Sequence, residues 1–263
     1  MRKPKSDYAI QAVANALRLL EEFRQDIEIG VAELARRLGL HKNNVFRLLA
    51  TLQEGGYIEQ DPHTERYRLG LAALDLGQSF LRSRPLLGRA RPFLEELSHG
   101  TGESAHVGVL DDFEVVHLAG IAPDRLIVTP LRVGRRLPVH CTALGKVLVG
   151  CSPTAQREAY DRVLARDGAL VARTRATIVD PDKLIEHLRT VAGQGFAIDR
   201  DECEAGLACA AAPVHDASGC VAAALSVSAP STRVSEEDLM RQVLPRVTQA
   251  AERLSRELGY RTA

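Results

Sequence analysis

The chain has 263 residues, 45% of them hydrophobic, and its 34 lysine and arginine residues balance 34 aspartate and glutamate residues. This composition is typical of a globular protein, the length favours two domains, and the zero net charge gives no sign of a protein that coats nucleic acid or membranes. No apolar run reaches membrane-spanning length, and five cysteines are too few for a disulfide framework. We therefore expect a cytoplasmic protein with no membrane partner.

The chain begins with a basic arm and an amphipathic helix. Arg2, Lys3 and Lys5 form the arm, which would either touch a nucleic-acid backbone or be an ordinary solvated terminus. A helix is predicted over residues 8–24, because apolar side chains recur there at spacings of three and four. The residues expected on its core-facing side are Ile10, Val13, Leu17, Leu20 and Phe23.

Residues 31–50 have the internal spacing of a DNA-binding helix-turn-helix. Ala35 is small enough for a second helix to cross closely, Gly39 can take the positive φ of a tight turn, and Val45 is an apolar plug on the second helix. The second helix, residues 41–54, is expected to lie in the major groove of duplex DNA. The shared core is predicted to contain Leu34, Leu38, Leu40, Val45, Leu48 and Leu49.

The charge of this segment favours DNA binding over an ordinary helical hairpin. Four cationic side chains oppose the single carboxylate of Glu33, and hydrogen-bond donors cluster where the second helix begins. Lysine can donate to guanine, and asparagine can bond adenine through two hydrogen bonds, although Asn43 or Asn44 would also serve as an N-cap. The residues predicted to contact DNA are Arg36, Arg37, His41, Lys42, Asn43, Asn44 and Arg47.

A short β-hairpin is predicted directly after these helices. Gly55-Gly56 ends the second helix, residues 57–60 and 65–69 have strand character, and residues 61–64 (Asp-Pro-His-Thr) have turn chemistry. Such a hairpin is the wing of a winged helix-turn-helix. Three of its side chains are predicted to meet phosphates: His63, Arg66 and Arg68. Residues 1–70 are therefore predicted to be a winged helix-turn-helix DNA-binding domain.

A connecting helix is predicted over residues 71–84, where an apolar stripe repeats at helical spacing. Leu71, Leu74, Phe80 and Leu81 form this stripe, which would either make a dimer contact or pack on the chain's own C-terminal domain. Arg84-Pro85 marks a break before the second domain.

Residues 85–263 have the pattern of an α+β domain, in which helices pack on a sheet made largely of hairpins. This arrangement is typical of small-molecule sensor domains. The predicted strands are residues 104–110, 113–118, 126–131, 196–199, 207–214 and 220–228. The predicted helices are residues 142–149 and 182–192, one that continues from residue 85 to about 100, and a long helix that begins at the capping box of residues 235–238 and is expected to kink at Pro245.

Two elements of this domain predict a ligand pocket. Alternation along residues 220–228 places Val221, Ala223, Leu225 and Val227 on one face and a row of small residues, ending in Ser226 and Ser228, on the other. That row would be a pocket floor or would simply admit a helix close to the sheet. The start of the helix at 142–149 offers backbone N–H groups that bind carboxylates, although Thr142 alone would also serve as an N-cap. Asp199 and Cys209, on neighbouring segments, would complete the site.

The chain resembles the IclR family of bacterial transcription regulators over essentially its whole length. The resemblance implies a winged helix-turn-helix, a C-terminal GAF-like effector domain, and dimers, often paired into tetramers, on palindromic operators. The family often has Ser-Thr where Asn43-Asn44 stand here and Gly-Ala where Ala143-Leu144 stand, so Leu144 would reshape the pocket. The stretches that carry the resemblance are residues 34–49, 56–59, 67–70, 136–146, 199–214 and 225–230.

The residues and the resemblance together predict a ligand-responsive transcriptional regulator that binds a palindromic operator and senses a small organic acid. It is expected to be a homodimer or homotetramer and to need no cofactor or metal. The resemblance places the family's effector pocket on Ala143, Leu144, Asp199, Cys209, Ser226 and Ser228. With the helix start included, the predicted effector site comprises Cys141, Thr142, Ala143, Leu144, Gly145, Asp199, Cys209, Ser226 and Ser228.

Two other functions remain open at this point. A metal- or thiol-responsive regulator would use the cysteines of the C-terminal domain, but Cys203, Cys209 and Cys220 lack the C-x-x-C spacing of strong metal sites. An enzyme would use Cys141 beside His140, but adjacent residues of an extended segment point to opposite faces and do not form a dyad there. We therefore expect no catalytic activity.

Overall fold

A computed structural model describes residues 9–24, 26–167 and 170–261. The basic arm of Arg2, Lys3 and Lys5 lies outside the described residues. The chain divides into two compact units, Met1–Arg84 and Pro85–Ala263. Within the described ranges, no helix is both long and apolar enough to cross a lipid bilayer.

The first unit is a winged helix-turn-helix, as the sequence predicts. Gly39 joins the two central helices with a φ of 66°, the left-handed conformation that this turn requires. The hairpin strands pair antiparallel, and Ile29 extends them through a bridge to Tyr67. All six predicted core residues are buried or packed against the core. The elements are α1 (Gln11–Glu22), α2 (Val31–Leu38), α3 (Lys42–Glu54), β1 (Ile58–Gln60), β2 (Tyr67–Leu69) and α4 (Leu71–Arg82).

The predicted core face of the first helix is wrong over most of its length. Ile10, Val13 and Leu17 are 68%, 53% and 58% exposed, whereas Leu19 and Phe23 are buried. Leu19 and Phe23 are four residues apart and therefore share one face of the helix. Because α1 carries two overlapping apolar faces, periodicity alone does not reveal which of them α2 and α3 cover.

The second unit is a six-stranded antiparallel sheet with helices on both faces, in the order β5-β4-β3-β8-β7-β6. One face is covered by α5 and α10, and the other by α6, with α7 and α8 packed behind it. The strands are β3 (Ser104–Asp111), β4 (Glu114–Ile121), β5 (Arg136–Pro138), β6 (Ala197–Arg200), β7 (Leu207–His215) and β8 (Val221–Pro230). The helices are α5 (Pro85–Thr101), α6 (Ala143–Gly150), α7 (Thr154–Asp167), α8 (Pro181–Gln194), α9 (Glu236–Asp238) and α10 (Leu244–Glu257).

Two elements of this unit differ from the sequence prediction. Residues 126–131 form no strand, because the position beside β4 is taken by β5, in which Arg136 pairs with Val116 and Pro138 with Glu114. The helix α7 has no counterpart among the predicted elements. Its buried residues include Tyr160 and Leu164, but the helix is largely polar and gives little apolar periodicity.

The alternation predicted for β8 holds from residue 223 onwards. Ala223, Leu225 and Val227 pack in the core shared with α5 and α10, while Ala224 packs with α6. Val221 breaks the pattern because a register shift at Val214 and His215 turns it toward the α6 side. The helix at the C-terminal end begins at the predicted capping box and contains a π-helical turn, Leu239–Val243, which ends two residues before Pro245.

Candidate functional site

The recognition helix α3 presents its polar start to solvent. His41 is the N-cap, and its Nδ1 accepts a hydrogen bond from the backbone N–H of Asn43 at 3.3 Å. The alternative that Asn43 or Asn44 is the N-cap is therefore wrong. Both asparagine side chains, and that of Lys42, are exposed and not used in capping.

The outward face of α3 also carries an aromatic residue that the sequence analysis did not single out. Val45 and Leu49 turn inward and are fully buried, which leaves Asn43, Phe46 and Arg47 on the exposed side. The phenyl ring of Phe46 is 58% exposed. Phenylalanine in this position can contact the methyl group of thymine in the major groove. The sequence signals the outward direction of Phe46 by its position: it directly follows Val45, which lies on the core side, and so falls outside the helical spacing of the core residues.

The two arginines of α2 differ in what holds them. Arg37 is held by three carboxylates: Asp26 at 2.6 Å, Glu33 at 2.7 Å and Glu22 at 3.5 Å. Arg36 contacts Glu33 at 2.6 Å, but its side chain is 73% exposed. Hydrogen bonds from Arg36 and Arg37 lower the pKa of Glu33 to about 2. Arg37 thus joins α1 and α2 in this structure, while Arg36 remains open to solvent.

The wing is held by its own hydrogen bonds. Asp61 Oδ1 accepts from the backbone N–H groups of His63 and Thr64, each at 2.8 Å, which places His63 at the exposed tip. Arg66 donates to the backbone oxygen of Glu28 at 2.7 Å, and Arg68 to Glu59 at 2.6 Å. Both arginines are exposed and would have to exchange these partners to meet phosphates.

The second unit contains a small cavity of about 30 Å³ between the sheet and the start of α6. Of the nine predicted effector residues, seven line it, and Cys141 and Gly145 do not. The seven are Thr142, Ala143, Leu144, Asp199, Cys209, Ser226 and Ser228. The structure adds six residues to its wall: His106, His117, Arg132, Leu137, Cys203 and Leu207.

The start of α6 is only partly available to a ligand. Thr142 is its N-cap: the Oγ1 atom accepts from the Gly145 N–H at 3.2 Å and donates to the Pro138 oxygen at 2.8 Å. In the described ranges, no acceptor is found for the N–H groups of Ala143 and Leu144. Gly145 has a packing role, because a Cβ there would lie 2.5 Å from Val139 Cα.

Leu144, where the family often has a smaller residue, reaches the sheet at Gly108. A Cβ at Gly108 would lie 3.2 Å from Leu144 Cδ1. The absence of a side chain on β3 at this point makes room for the leucine, which packs with Val115 and Ala224. Leu144 therefore narrows the cavity without crowding the strand behind it.

Asp199 and Cys209 supply polar groups from the neighbouring strands β6 and β7. Asp199 Oδ1 accepts from the N–H groups of Glu202 at 2.9 Å and Cys203 at 3.3 Å. Burial raises the pKa of the Asp199 carboxyl to about 7. Cys209 Sγ donates to Ser228 Oγ at 3.1 Å, and burial raises the pKa of this thiol, so it stays protonated.

Two histidines and one arginine are the polar residues that sequence reasoning missed most clearly. His106 and His117 meet edge to face, with ring centroids 5.6 Å apart. Burial lowers the pKa of His106 to about 3 and that of His117 to about 4, so both rings are neutral at pH 7. Over the described residues, the Nδ1 atoms of both rings have no hydrogen-bond partner. Arg132 lies beside them, and its side chain is 13% exposed.

The cysteines give no support to a metal- or thiol-based function. All five are free thiols, and the described part of the chain contains no group of three or more metal-ligating side chains. Cys141 packs against Cys203, and a hydrogen bond between them together with burial raises the pKa of Cys141. His140, the sequence neighbour of Cys141 in the enzyme alternative, directs its Nε2 atom to the backbone oxygen of Val171 at 3.1 Å.

A winged helix-turn-helix with an exposed, donor-rich helix is thus joined in one chain to an α+β unit that encloses a polar cavity. This combination defines a ligand-responsive, DNA-binding regulator of transcription. The chain matches the family models described as IclR helix-turn-helix domain, over residues 12–62, and Bacterial transcriptional regulator IclR C-terminal, over residues 78–256. It belongs to the IclR family of transcriptional regulators.

Individual relatives agree with this assignment. The chain is 36% identical over 252 residues to the HTH-type transcriptional regulator XynR of Escherichia coli, covering 95% of this chain and 98% of XynR. An IclR transcriptional regulator from Alicyclobacillus acidocaldarius has a similar structure, with a TM-score of 0.84 at 25% identity, over 96% of this chain and 100% of that one. An IclR homologue from Microbacterium hydrocarbonoxydans, complexed with 4-hydroxybenzoate, gives a TM-score of 0.77 at 25% identity, over 94% and 99% of the two chains.

Proposed function

We propose that this regulator binds a palindromic operator as a homodimer or homotetramer and senses a small organic acid, which binds as a carboxylate in the cavity of the second unit. The observation that carries the proposal is the cavity itself. Seven residues selected from the sequence as an effector site line one small cavity beneath the start of α6. Such convergence of polar groups in a buried cavity is typical of a ligand site.

For DNA, the proposal assigns base contacts to the outward face of α3. Lys42, Asn43, Asn44 and Arg47 are exposed there and are donors suited to base edges or phosphates. His63 at the wing tip and Arg36 on α2 are accessible for phosphate contacts.

A symmetric assembly is supported by apolar surface that the first unit leaves uncovered. The outward stripe of α1, formed by Ile10, Val13 and Leu17, is more than half exposed. The helix α4 has no buried residue, and Leu71 and Leu74 are 76% and 59% exposed. Apolar surface of this kind marks interaction sites. We assign it to a second copy of the chain, because one recognition helix reads too few bases alone and two related by symmetry read an inverted repeat.

The size and charge of the cavity limit the effector. A volume of about 30 Å³ holds a single water molecule, so a ligand must widen the cavity to enter. A small acid requires the least movement. Its carboxylate would find the cationic Arg132 and the free N–H groups of Ala143 and Leu144, while Ser226 and Ser228 offer hydroxyl groups to the rest of the molecule.

Selection from random duplexes tests the DNA part of this proposal. The full chain should enrich inverted repeats, with the two half-sites facing one another. Enrichment of single, unrepeated half-sites would contradict a symmetric complex.

A thermal-shift screen of small carboxylates against the full chain tests the effector part. A ligand at 100 times its Kd adds about 2.7 kcal/mol to the stability of the domain that binds it. Replacing both cavity serines (Ser226→Val with Ser228→Val) should abolish the shift, because two valines fill the cavity and remove its hydroxyl groups. Thr190→Val, on the exposed side of α8, is the matched control and should keep it. A shift that survives the double change places the site elsewhere.

A further inference from the structure

The effector cavity adjoins a much larger open basin on the surface of the second unit. The basin has a volume of about 660 Å³, and its lining includes Arg173, Arg175, Asp201 and Glu204. Cys203 lines both the basin and the inner cavity, so the two spaces meet at this residue. A small molecule in the basin would therefore lie next to the cavity wall at Cys203.

One ion pair joins the two spaces. Arg132, which lines the inner cavity, pairs with the carboxylate of Glu204, which lines the basin. The two partners differ in exposure: the Arg132 side chain is 13% exposed and that of Glu204 is 63% exposed. The guanidinium is thus a buried part of the cavity wall, while its carboxylate partner reaches in from the surface.

Arg132 needs an anionic partner where it lies. The neighbouring rings of His106 and His117 are neutral, and a guanidinium that leaves water without a partner is strongly destabilised. Glu204 supplies this partner. Because the Glu204 side chain is 63% exposed, its carboxylate can return to water when another carboxylate takes its place on Arg132.

The backbone around Glu204 is held by hydrogen bonds, whereas its side chain is largely exposed. Arg173 Nε donates to the Cys203 oxygen at 3.1 Å, and Thr177 Oγ1 donates to the Glu202 oxygen at 2.7 Å. Asp201 Oδ1 accepts from the Gly206 N–H at 2.6 Å. With the segment 201–206 fixed on both sides of Glu204, rotation of this one side chain is enough to free Arg132.

We propose that Glu204 is a built-in competitor of the effector: an incoming carboxylate passes from the basin, displaces Glu204 from Arg132 and takes its place on the guanidinium. This inference rests on the proposed function, since it assumes an acidic effector in the inner cavity. It adds that Arg132 determines specificity for the carboxylate and that Glu204 sets the affinity threshold.

The test compares carboxylate binding to the full chain and to single variants. Pyruvate, acetate and 4-hydroxybenzoate are titrated by calorimetry at low ionic strength, with methyl pyruvate as the uncharged probe. Glu204→Gln keeps the shape of the side chain and removes the competing charge. Carboxylate affinity should rise about two- to five-fold, the range expected when the competing carboxylate is largely solvated, while methyl pyruvate should bind no better. Arg132→Gln should weaken carboxylate binding about tenfold or more.

Glu236→Gln is the matched control. Glu236 is likewise the exposed carboxylate of an ion pair, with Arg200 at 2.5 Å, and its replacement changes the net charge by the same amount at residues that do not line the cavity. Affinity in this variant should match that of the wild type. A rise equal to that of Glu204→Gln would reduce the effect to net charge and overturn the proposal.

The remaining outcomes distinguish a failure of the competitor role from a failure of the proposed acid-sensing function. Carboxylates that bind the wild type and Glu204→Gln equally well overturn the competitor role and leave the acid-sensing function in place. Binding unchanged by Arg132→Gln removes Arg132 from the site. No binding of any of the three acids to any variant overturns both this proposal and the proposed effector class. If Arg132→Gln does not unfold cooperatively, the Glu204→Gln variant still tests the competitor role, because Glu204 is on the surface and its replacement leaves the core unchanged.

Discussion

His106 on β3 lies directly opposite Ser226 on β8 in the antiparallel register of the sheet. The same sheet places Asp199 opposite Cys209 and Cys209 opposite Ser228. Residues paired across neighbouring strands lie on the same face of a sheet. The polar wall of the cavity is therefore a consequence of strand register: four strands contribute polar side chains to one face, in two adjacent rows of paired residues below the start of α6.

Two arginines of the helix-turn-helix, Arg47 and Arg37, should separate into a binding role and a structural role. Arg47→Ala should leave thermal unfolding unchanged and weaken operator binding by about 1–3 kcal/mol if the side chain reads a base. Arg37→Ala should lower the melting temperature, because Glu22, Asp26 and Glu33 lose their shared cation. Both variants are compared by melting curves and by DNA titration at several salt concentrations. Unchanged operator affinity for Arg47→Ala would remove it from the interface.

Phe46 should recognise a thymine methyl group. Within an operator obtained by selection, replacing one thymine per half-site by uracil removes only this methyl group and should cost the wild type about 1 kcal/mol at one position. Phe46→Ala should bind the thymine and uracil operators equally well. Ala50→Ser changes another residue on the exposed side of α3 and is the control variant. Leu48 would not serve as a control, because it is partly buried against the core. If no uracil position affects the wild type, Phe46 does not read a methyl group.

The exposed apolar stripes of α1 and α4 should be needed for self-association. Leu17→Glu or Leu74→Glu places a charge where the stripe would be covered, and sedimentation should show a shift toward smaller species. Ile27→Glu is the matched control, because Ile27 is 87% exposed but lies outside both helices. An unchanged sedimentation profile for both stripe variants would assign the interface to another surface.

Asp199 should make stability decline as the pH rises. Burial raises the pKa of its carboxyl from 3.8 to about 7, so the folded chain keeps a proton that the unfolded chain releases. The stabilising contribution of this proton is complete below about pH 4 and is lost as the pH rises to about 7. Asp199→Asn does not titrate, and Asn Oδ1 can still accept the two backbone hydrogen bonds. The variant should therefore gain stability relative to the wild type from pH 4 to 7, with no further gain above.

Urea unfolding between pH 4.5 and 8 measures this difference directly. The wild type also contains buried neutral histidines, whose low pKa values oppose the trend, so only the difference between variant and wild type isolates Asp199. Asp75→Asn removes an exposed carboxylate from α4 and is the matched control. A constant difference for Asp199→Asn would mean that this carboxyl is ionised throughout.

Sequence alone was sufficient wherever the structure depends on neighbours along the chain. The helix-turn-helix follows from the spacing of Ala35, Gly39 and Val45, because a turn and two packed helices are determined within about twenty residues. The alternation of β8 placed Ser226 and Ser228 on the cavity side for the same reason, since the period of a strand is local.

Tertiary structure decided everything that depends on which elements meet. The cavity wall includes His106, His117 and Arg132 because β3 lies beside both β4 and β8 and because the chain after β4 returns past the sheet edge. No local sequence pattern specifies these neighbours. The same holds for the buried side of α1, where two apolar faces compete and α2 and α3 select one. Periodicity shows which residues share a face, but the partner that covers the face is determined by contacts between residues far apart in the sequence.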